Sequence, residues 1–144
     1  MRFAIMIISV AMALSFFKCG NGAGTPTANS FTPGVYEYTG FDTSGKKVIS
    51  GRLELKEIKD RSLKGTWQLT KVGSDDIKLG PQVGTGEFVG SYEEKRVDLN
   101  LNPFMADNNV FIAGQMENGE LKGSWSYSGF AGPITKGTFV AKRK

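Results

Sequence analysis

The sequence predicts an all-β protein: an antiparallel up-and-down barrel of eight or nine strands, after an N-terminal signal helix and a flexible tether. Beyond residue 31, apolar and polar residues alternate with the two-residue period of a strand. Short turn signals separate the alternating runs, and a phrase of glycine, hydroxyl residue and aromatic residue recurs. The 144 residues include nineteen glycines and sixteen aromatics (ten Phe, four Tyr, two Trp), a composition that favours sheet with many turns.

The first element is a cationic and then apolar leader. Met1 and Arg2 precede a fifteen-residue apolar run, Phe3 to Phe17, interrupted only by two serines. A membrane-spanning helix needs about 20 apolar residues, so the run is short for a span. It matches the charged and apolar regions of a secretory signal peptide, which we place at residues 1–18.

The single cysteine of the chain, Cys19, stands directly at the end of the apolar run, and Gly20 follows it. In this placement the sequence resembles bacterial lipoproteins, whose signal peptide is removed at a lipid-modified cysteine. The residues before it, Phe16 and Lys18, stand where the lipobox of that family prefers an aliphatic and a small residue. The resemblance implies a lipid on Cys19 and a membrane-anchored protein of the cell envelope, at the outer membrane. The alternative is cleavage at a small-x-small site, for instance after Gly24, which would give a secreted or periplasmic protein.

Residues 19–31 form the predicted lipidated N-terminus and tether. The stretch from residue 20 to residue 31 is rich in Gly, Asn, Thr and Ser and has almost nothing to bury. A flexible tether of this length reaches about 20 Å. The barrel domain is then expected over residues 32–144.

Alternating runs and turn signals place the strands of the barrel. Asn118-Gly119 is the strongest turn signal, because both central positions of a two-residue type I′ hairpin need positive φ. The predicted strands are about 34–41, 47–57, 63–72, 76–80, 85–92, 96–102, 109–117, 120–128 and 133–142. Short connections and the absence of a long crossover favour a closed barrel, which leaves no exposed sheet edge.

The recurring phrase runs from Leu63 to Trp67 and again from Leu121 to Trp125, with looser copies at Phe88 to Tyr92 and Thr135 to Phe139. Within a strand, residues i and i+2 share a face, so each glycine lies beside its aromatic residue. We therefore expect each bare glycine to leave room for a ring from a neighbouring strand.

In this pattern the chain is similar to the calycin group, the small lipocalin-like and avidin-like barrels, and Gly34-Val35-Tyr36 matches the opening of their first strand. The resemblance implies the barrel shape and a cavity, but it does not transfer a ligand to this chain. Five aromatic residues would line that cavity or fill the core, and we favour the filled core. These residues are Trp67, Phe88, Tyr92, Trp125 and Phe139.

The sequence lacks the side chains that several functional classes require. The chain has no histidine, so a Ser/His/Asp or Cys/His centre cannot form, and no metal site or cofactor motif is recognised. The acidic pairs Glu54 and Glu57, Asp75 and Asp76, and Glu93 and Glu94 are expected on the surface. Removal of residues 1–18 takes Arg2 and Lys18 away, which leaves 16 basic against 14 acidic residues, a net charge of +2. We expect neither catalytic residues nor nucleic-acid binding.

Two loops contain apolar residues, Phe104 and Met105 in one and Phe130 in the other. They could contact a ligand or a partner, although we favour the alternative that they plug an end of the barrel. The sequence thus predicts a membrane-anchored, non-enzymatic binding module for a small apolar ligand or an envelope protein. Two alternatives stay open: a surface-exposed lipoprotein whose loops contact host or environmental macromolecules, and, ranked low, an enzyme of unknown type.

Overall fold

The computed structural model describes residues 30–74 and 76–144, and over these residues the chain forms one closed antiparallel barrel. Each strand pairs with the next along the chain, and β8 pairs with β1, which confirms the up-and-down topology. The predicted signal peptide, Cys19 and most of the tether lie outside the described residues. The strands are β1 (Gly34–Phe41), β2 (Lys47–Lys59), β3 (Ser62–Lys71), β4 (Gly84–Glu93), β5 (Arg96–Asn100), β6 (Asn108–Glu117), β7 (Glu120–Gly129) and β8 (Gly132–Arg143).

Because successive strands run in opposite directions, the connections gather at the two ends of the barrel. We call one end the loop end; among the described residues it carries 42–46, 72–74, 76–83, 101–107 and 130–131. The other is the terminal end, where the chain enters at residue 30 and leaves at residue 144, beside three two-residue turns.

The fourth of the nine predicted strands, 76–80, is wrong. This segment is irregular and leads into a short 3₁₀ helix, Gly80–Gln82, that has a proline in its first turn. Its alternating apolar residues, Ile77 and Leu79, pack against the core at the loop end instead of pairing with a strand. Proline has no backbone N–H for a strand ladder, and this explains why the segment covers the barrel end rather than adding to its wall.

Cross-strand pairs of glycine and aromatic residues shape the wall between β3 and β4. Gly65 faces Phe88, and Trp67 faces Gly86, so each strand offers a bare backbone to the ring of the other. A Cβ added at Gly65 would lie 2.4 Å from Cζ of Phe88, and one at Gly86 would lie 2.7 Å from Cζ2 of Trp67. The expected accommodation of rings over glycines is confirmed here.

The same exchange recurs between β7 and β8, where Trp125 faces Gly137 and Gly123 faces Phe139. The ring of Phe139 extends to β6, since its Cζ lies 2.9 Å from a Cβ position at Gly114. Two reciprocal pairs on different parts of the wall therefore direct four large rings into the barrel.

The inward-facing residues form a single core that extends from one barrel end to the other. At the terminal end, Phe31 packs on Tyr36 with 4.8 Å between ring centroids and is only 2% exposed. Arg143 then donates to Thr32 Oγ1 at 2.7 Å and to Pro33 O at 3.0 Å. Phe31, which we assigned to the tether, thus belongs to the barrel, because its ring covers the end of the core.

The turn at Asn118-Gly119 joins β6 to β7 as predicted, with φ of 51° and 81° at its two residues. A side chain with a Cβ is disfavoured in this region unless it is Asn or Asp, whose short polar group bonds locally. We expect Asn118→Ala to lower the free energy of unfolding by about 1 kcal/mol, measured by urea denaturation. Asn118→Gly is the matched control and should be at least as stable as the natural protein; equal stability of all three proteins would contradict this account.

Candidate functional site

The five aromatic residues singled out in the sequence do not gather around an open cavity. Trp67, Phe88, Trp125 and Phe139 are at most 4% exposed and belong to the core, and Tyr92 is half-buried beside it. The two indole groups are also satisfied: Trp67 Nε1 donates to Leu101 O at 2.8 Å, and Trp125 Nε1 donates to Phe41 O at 3.0 Å. These rings therefore occupy the interior as structural side chains.

One buried tyrosine is less well satisfied. Tyr38 is stacked on Phe139 with 5.3 Å between ring centroids, and its hydroxyl has no hydrogen-bond partner among the described residues. Burial raises the pKa of the Tyr38 hydroxyl well above its usual range, since the phenolate would be desolvated. The hydroxyl is therefore neutral at every physiological pH and offers no base for chemistry.

The apolar surface of the protein is concentrated at the loop end. Among the described residues, seven large hydrophobic side chains are exposed, and five of them lie at or beside the loops of this end. These five are Val83, Phe104, Met105, Phe130 and Ile134. Exposed apolar residues gathered on one surface mark an interaction site more often than scattered ones do.

The expectation that the apolar loop residues plug the barrel is wrong. Phe104 is 84% exposed, Phe130 is 92% exposed and Met105 is 50% exposed. The segment from residue 76 to residue 83 covers the end instead, with Leu79 and Gln82 buried and Gly80 against the ring of Tyr127. The core is thus closed without the loop aromatics, and these are left to contact solvent or a partner.

The sequence reasoning did not identify Val83 and Ile134, nor the exposed Val89 and Phe111 of the outer wall. The pattern carries a usable signal for the last two, because they occupy outward-facing positions of otherwise alternating strands. Val83 and Ile134 stand beside turns, where alternation does not assign a face.

A groove opens in the wall at the loop end, where β4 and the chain after β5 separate. It has a volume of about 460 Å³. Its lining is mainly apolar and comes from two segments, within 81–87 and 101–105, and from Trp67. The sheet ladder between β4 and β5 ends at the pair Val89 and Asn100, so the first five residues of β4 have no neighbour on that side.

Side-chain hydrogen bonding explains why the ladder ends there. The next hydrogen-bonded pair in this register would be Glu87 with Asn102, but the Asn102 N–H donates to Asn100 Oδ1 at 2.9 Å. Asn102 O accepts from the Met105 N–H at 3.1 Å. Both backbone groups of Asn102 are thus engaged locally, and the chain turns away from β4. The groove is a consequence of this local turn.

The carboxylates singled out in the sequence lie on the surface of the described barrel. Glu54, Glu57, Asp76, Glu93 and Glu94 are all exposed, and Asp75 lies outside the described residues. Glu120 lies 2.6 Å from Lys122 Nζ and 2.5 Å from Lys142 Nζ, and these hydrogen bonds lower the pKa of the Glu120 carboxyl.

The first connection of the loop end is held by a carboxylate. Asp42 Oδ1 accepts from the Ser44 hydroxyl at 2.7 Å and from the Lys46 N–H at 2.9 Å, which lowers the pKa of Asp42. The loop at 42–46 is thus ordered by local hydrogen bonds, a structural role for this acidic residue.

Within the described ranges, 30–74 and 76–144, no three or more Asp, Glu, Cys or His side chains gather as a metal site would require. No helix in those ranges has the length and apolar character needed to cross a membrane.

Comparison with known proteins identifies the fold and no more. No protein-family model matches the sequence, and no curated protein matches it. The solved structure of EF1p2_mFAP2b bound to DFHBI is similar, with a TM-score of 0.52 and 14% sequence identity. The alignment covers 78% of this chain and 93% of that chain. At this identity the likeness is one of barrel architecture.

Proposed function

We propose that the protein is a non-enzymatic binding module of the bacterial envelope, anchored by a lipid on Cys19, that binds its partner at the loop end. The partner class is a small apolar ligand or an envelope protein. One observation carries the proposal: the exposed apolar side chains of the described barrel are concentrated at the end opposite to the point where the chain enters.

The orientation of the barrel relative to a lipid anchor supports this function. Residue 30 enters at the terminal end, where Thr32 and Arg143 hold the chain against the barrel. A lipid at Cys19 would therefore keep the terminal end toward the membrane and turn the loop end away from it. Exposed Phe104 and Phe130 on that far end are suited to contact a ligand or a protein rather than the anchoring bilayer.

The fold comparison supports ligand binding in general terms. EF1p2_mFAP2b, a barrel of similar architecture, is bound to DFHBI in its solved structure. In the present chain Trp67, Trp125, Phe88 and Phe139 occupy the interior, so a ligand would be bound at the loop end. The exposure of the described carboxylates supports the non-enzymatic part of the proposal, because acid–base catalysis needs groups that converge on one substrate.

Site-specific photo-crosslinking in living cells tests the loop-end proposal. A photoreactive phenylalanine analogue placed at Phe130 should give one discrete crosslinked product, a protein or a small-molecule adduct, after irradiation. The same analogue at Glu94, in an exposed turn of the terminal end, is the matched control and should give none. Equal products from both positions, or none from position 130, would contradict the proposal.

The anchor is tested separately by metabolic labelling. Cells that produce the natural protein and are grown with a radioactive fatty acid should incorporate label into it, because a thiol at position 19 carries the lipid. Cys19→Ala should abolish the incorporation. Lys18→Ala should be processed at least as well as the natural protein, since it places a small residue before the cysteine. An unlabelled natural protein would show that it has no lipid anchor.

A further inference from the structure

We propose that the groove between β4 and residues 101–105 binds a flat, uncharged aromatic molecule that carries a hydrogen-bond donor. This inference rests on the proposed function and names the ligand class at the loop end. The groove has a volume of about 460 Å³, which lies within the range of small-molecule sites.

The base of the groove is formed by the Trp67 ring and the bare backbone of Gly86. A Cβ at Gly86 would point into the barrel and lie 2.8 Å from Trp67 Nε1, so the indole takes the place of a side chain there. Trp67 is only 4% exposed, so it forms a base and does not project into the groove. A planar ring can therefore lie on this surface without displacing a side chain.

The walls of the groove are apolar on both sides. Pro81 and Val83 precede β4, and Phe104 and Met105 stand on the facing loop. Phe104 is 84% exposed, so its ring is free to stack on an aromatic ligand, in an offset or edge-to-face arrangement. These walls favour an aromatic molecule over an aliphatic one of equal size.

Hydrogen-bonding groups without a partner in the described chain line the groove, and they determine which polar group a ligand must carry. The Tyr92 N–H donates toward β3, to Arg61 O, so by alternation the odd-numbered residues of β4 direct their backbone groups the other way. Thr85 and Glu87 therefore present backbone N–H and C=O groups that have no strand partner in the described chain. Asn102 Oδ1 is buried without a hydrogen-bond partner among the described residues. Carbonyl oxygens predominate in this set, and a ligand N–H or O–H would satisfy one of them.

An added peptide strand does not fit the groove. Trp67 Nε1 lies 2.8 Å from Leu101 O as well as 2.8 Å from the Cβ position at Gly86, so one indole group bridges the two sides. An inserted strand would need about 4.8 Å on each side. Glu87, the one charged lining residue in the described part of the chain, also disfavours an anionic ligand.

The experiment uses N-phenyl-1-naphthylamine, a neutral aromatic amine with one N–H donor, as the probe. The two indole N–H signals in a ¹H–¹⁵N NMR spectrum report its position, because Trp67 underlies the groove whereas Trp125 lies in the core beside Phe41. Titration should shift the Trp67 signal in a saturable manner and leave the Trp125 signal in place. A larger shift at Trp125, or no shift at either residue, would overturn the proposal.

Variants make the test independent of folding. Phe104→Ser and Met105→Ser change exposed side chains and should each weaken probe binding about tenfold, by removing the apolar wall. Phe111→Ser, the same substitution at an exposed position on the outer wall of β6, should leave binding unchanged. Equal weakening by Phe104→Ser and Phe111→Ser would overturn the site assignment. If crosslinking at position 130 succeeds while the probe leaves Trp67 unaffected, the loop end binds a partner but the groove proposal fails.

Discussion

Replacement of Trp125 by alanine is expected to lower the free energy of unfolding by about 3–5 kcal/mol, the range for removal of a large buried aromatic side chain. The indole is 0% exposed and lies against Gly137, with Nε1 2.7 Å from the position of a Cβ there. Its N–H bond to Phe41 O links β7 to the end of β1, two strands away in the sheet order. Alanine would lose both the packing and this link, and would leave a cavity that the rigid barrel wall cannot fill.

Urea denaturation followed by circular dichroism measures this change as a shift of the midpoint at constant slope. Trp125→Phe is the control: it keeps most of the apolar surface, loses the N–H bond and part of the packing, and should lower the free energy of unfolding by about 1–2 kcal/mol. If Trp125→Ala were no less stable than Trp125→Phe, the indole would not be a structural side chain. The interior would then have to contain space that the present packing does not show.

Gly86→Ala is expected to lower the free energy of unfolding by about 1–3 kcal/mol, the usual cost of overpacking. The three nearest atoms to a Cβ at this position all belong to the Trp67 ring, at 2.7 to 2.8 Å, and none is backbone. The ring can give way only by breaking its 2.8 Å bond to Leu101 O. The effect of the methyl group should therefore depend on the residue at position 67.

A double-mutant cycle tests that dependence. Trp67→Leu alone should destabilise the protein, but Gly86→Ala added to Trp67→Leu should cost much less than it does alone, with a coupling energy of about 1 kcal/mol or more. Thr66→Ala combined with Gly86→Ala is the matched control and should be additive, because Thr66 faces outward. Full additivity of the Trp67 pair would contradict the proposed contact.

The glycine–aromatic pairs of β3 with β4 and of β7 with β8 show how much of the structure the repeated sequence phrase predicts. The glycine–hydroxyl–aromatic copies at Trp67 and Trp125 were visible in the sequence, and so was the reason for a glycine near each ring. The partner of each ring was not visible. The copy noted on β4 ends at Tyr92, yet the glycine that accommodates Trp67 is Gly86, which belongs to no copy of the phrase. Cross-strand register decides the pairing, and a single strand does not encode it.

The candidate site was predicted only in part for a similar reason. Phe104, Met105 and Phe130 were recognised as apolar loop residues, but their exposure depends on another segment. Residues 76–80 looked like a strand because Ile77 and Leu79 alternate, and they instead cover the barrel end. The alternation of a strand and that of a short cover segment are the same in sequence. Only the packing distinguishes them.

The sequence by itself determined that the described chain is an all-β up-and-down barrel, because period-two alternation and turn residues act between neighbours along the chain. It also determined the hairpin at Asn118-Gly119, since the local preference for positive φ needs no tertiary contact. Only the tertiary structure decided where the wall opens. The groove exists because Asn102 is bonded to Asn100 and Met105 instead of Glu87, and because Trp67 reaches beneath Gly86 from the adjacent strand. The Trp67 contact joins two different strands, and the closed barrel sets the balance between the local bonds of Asn102 and a continued ladder.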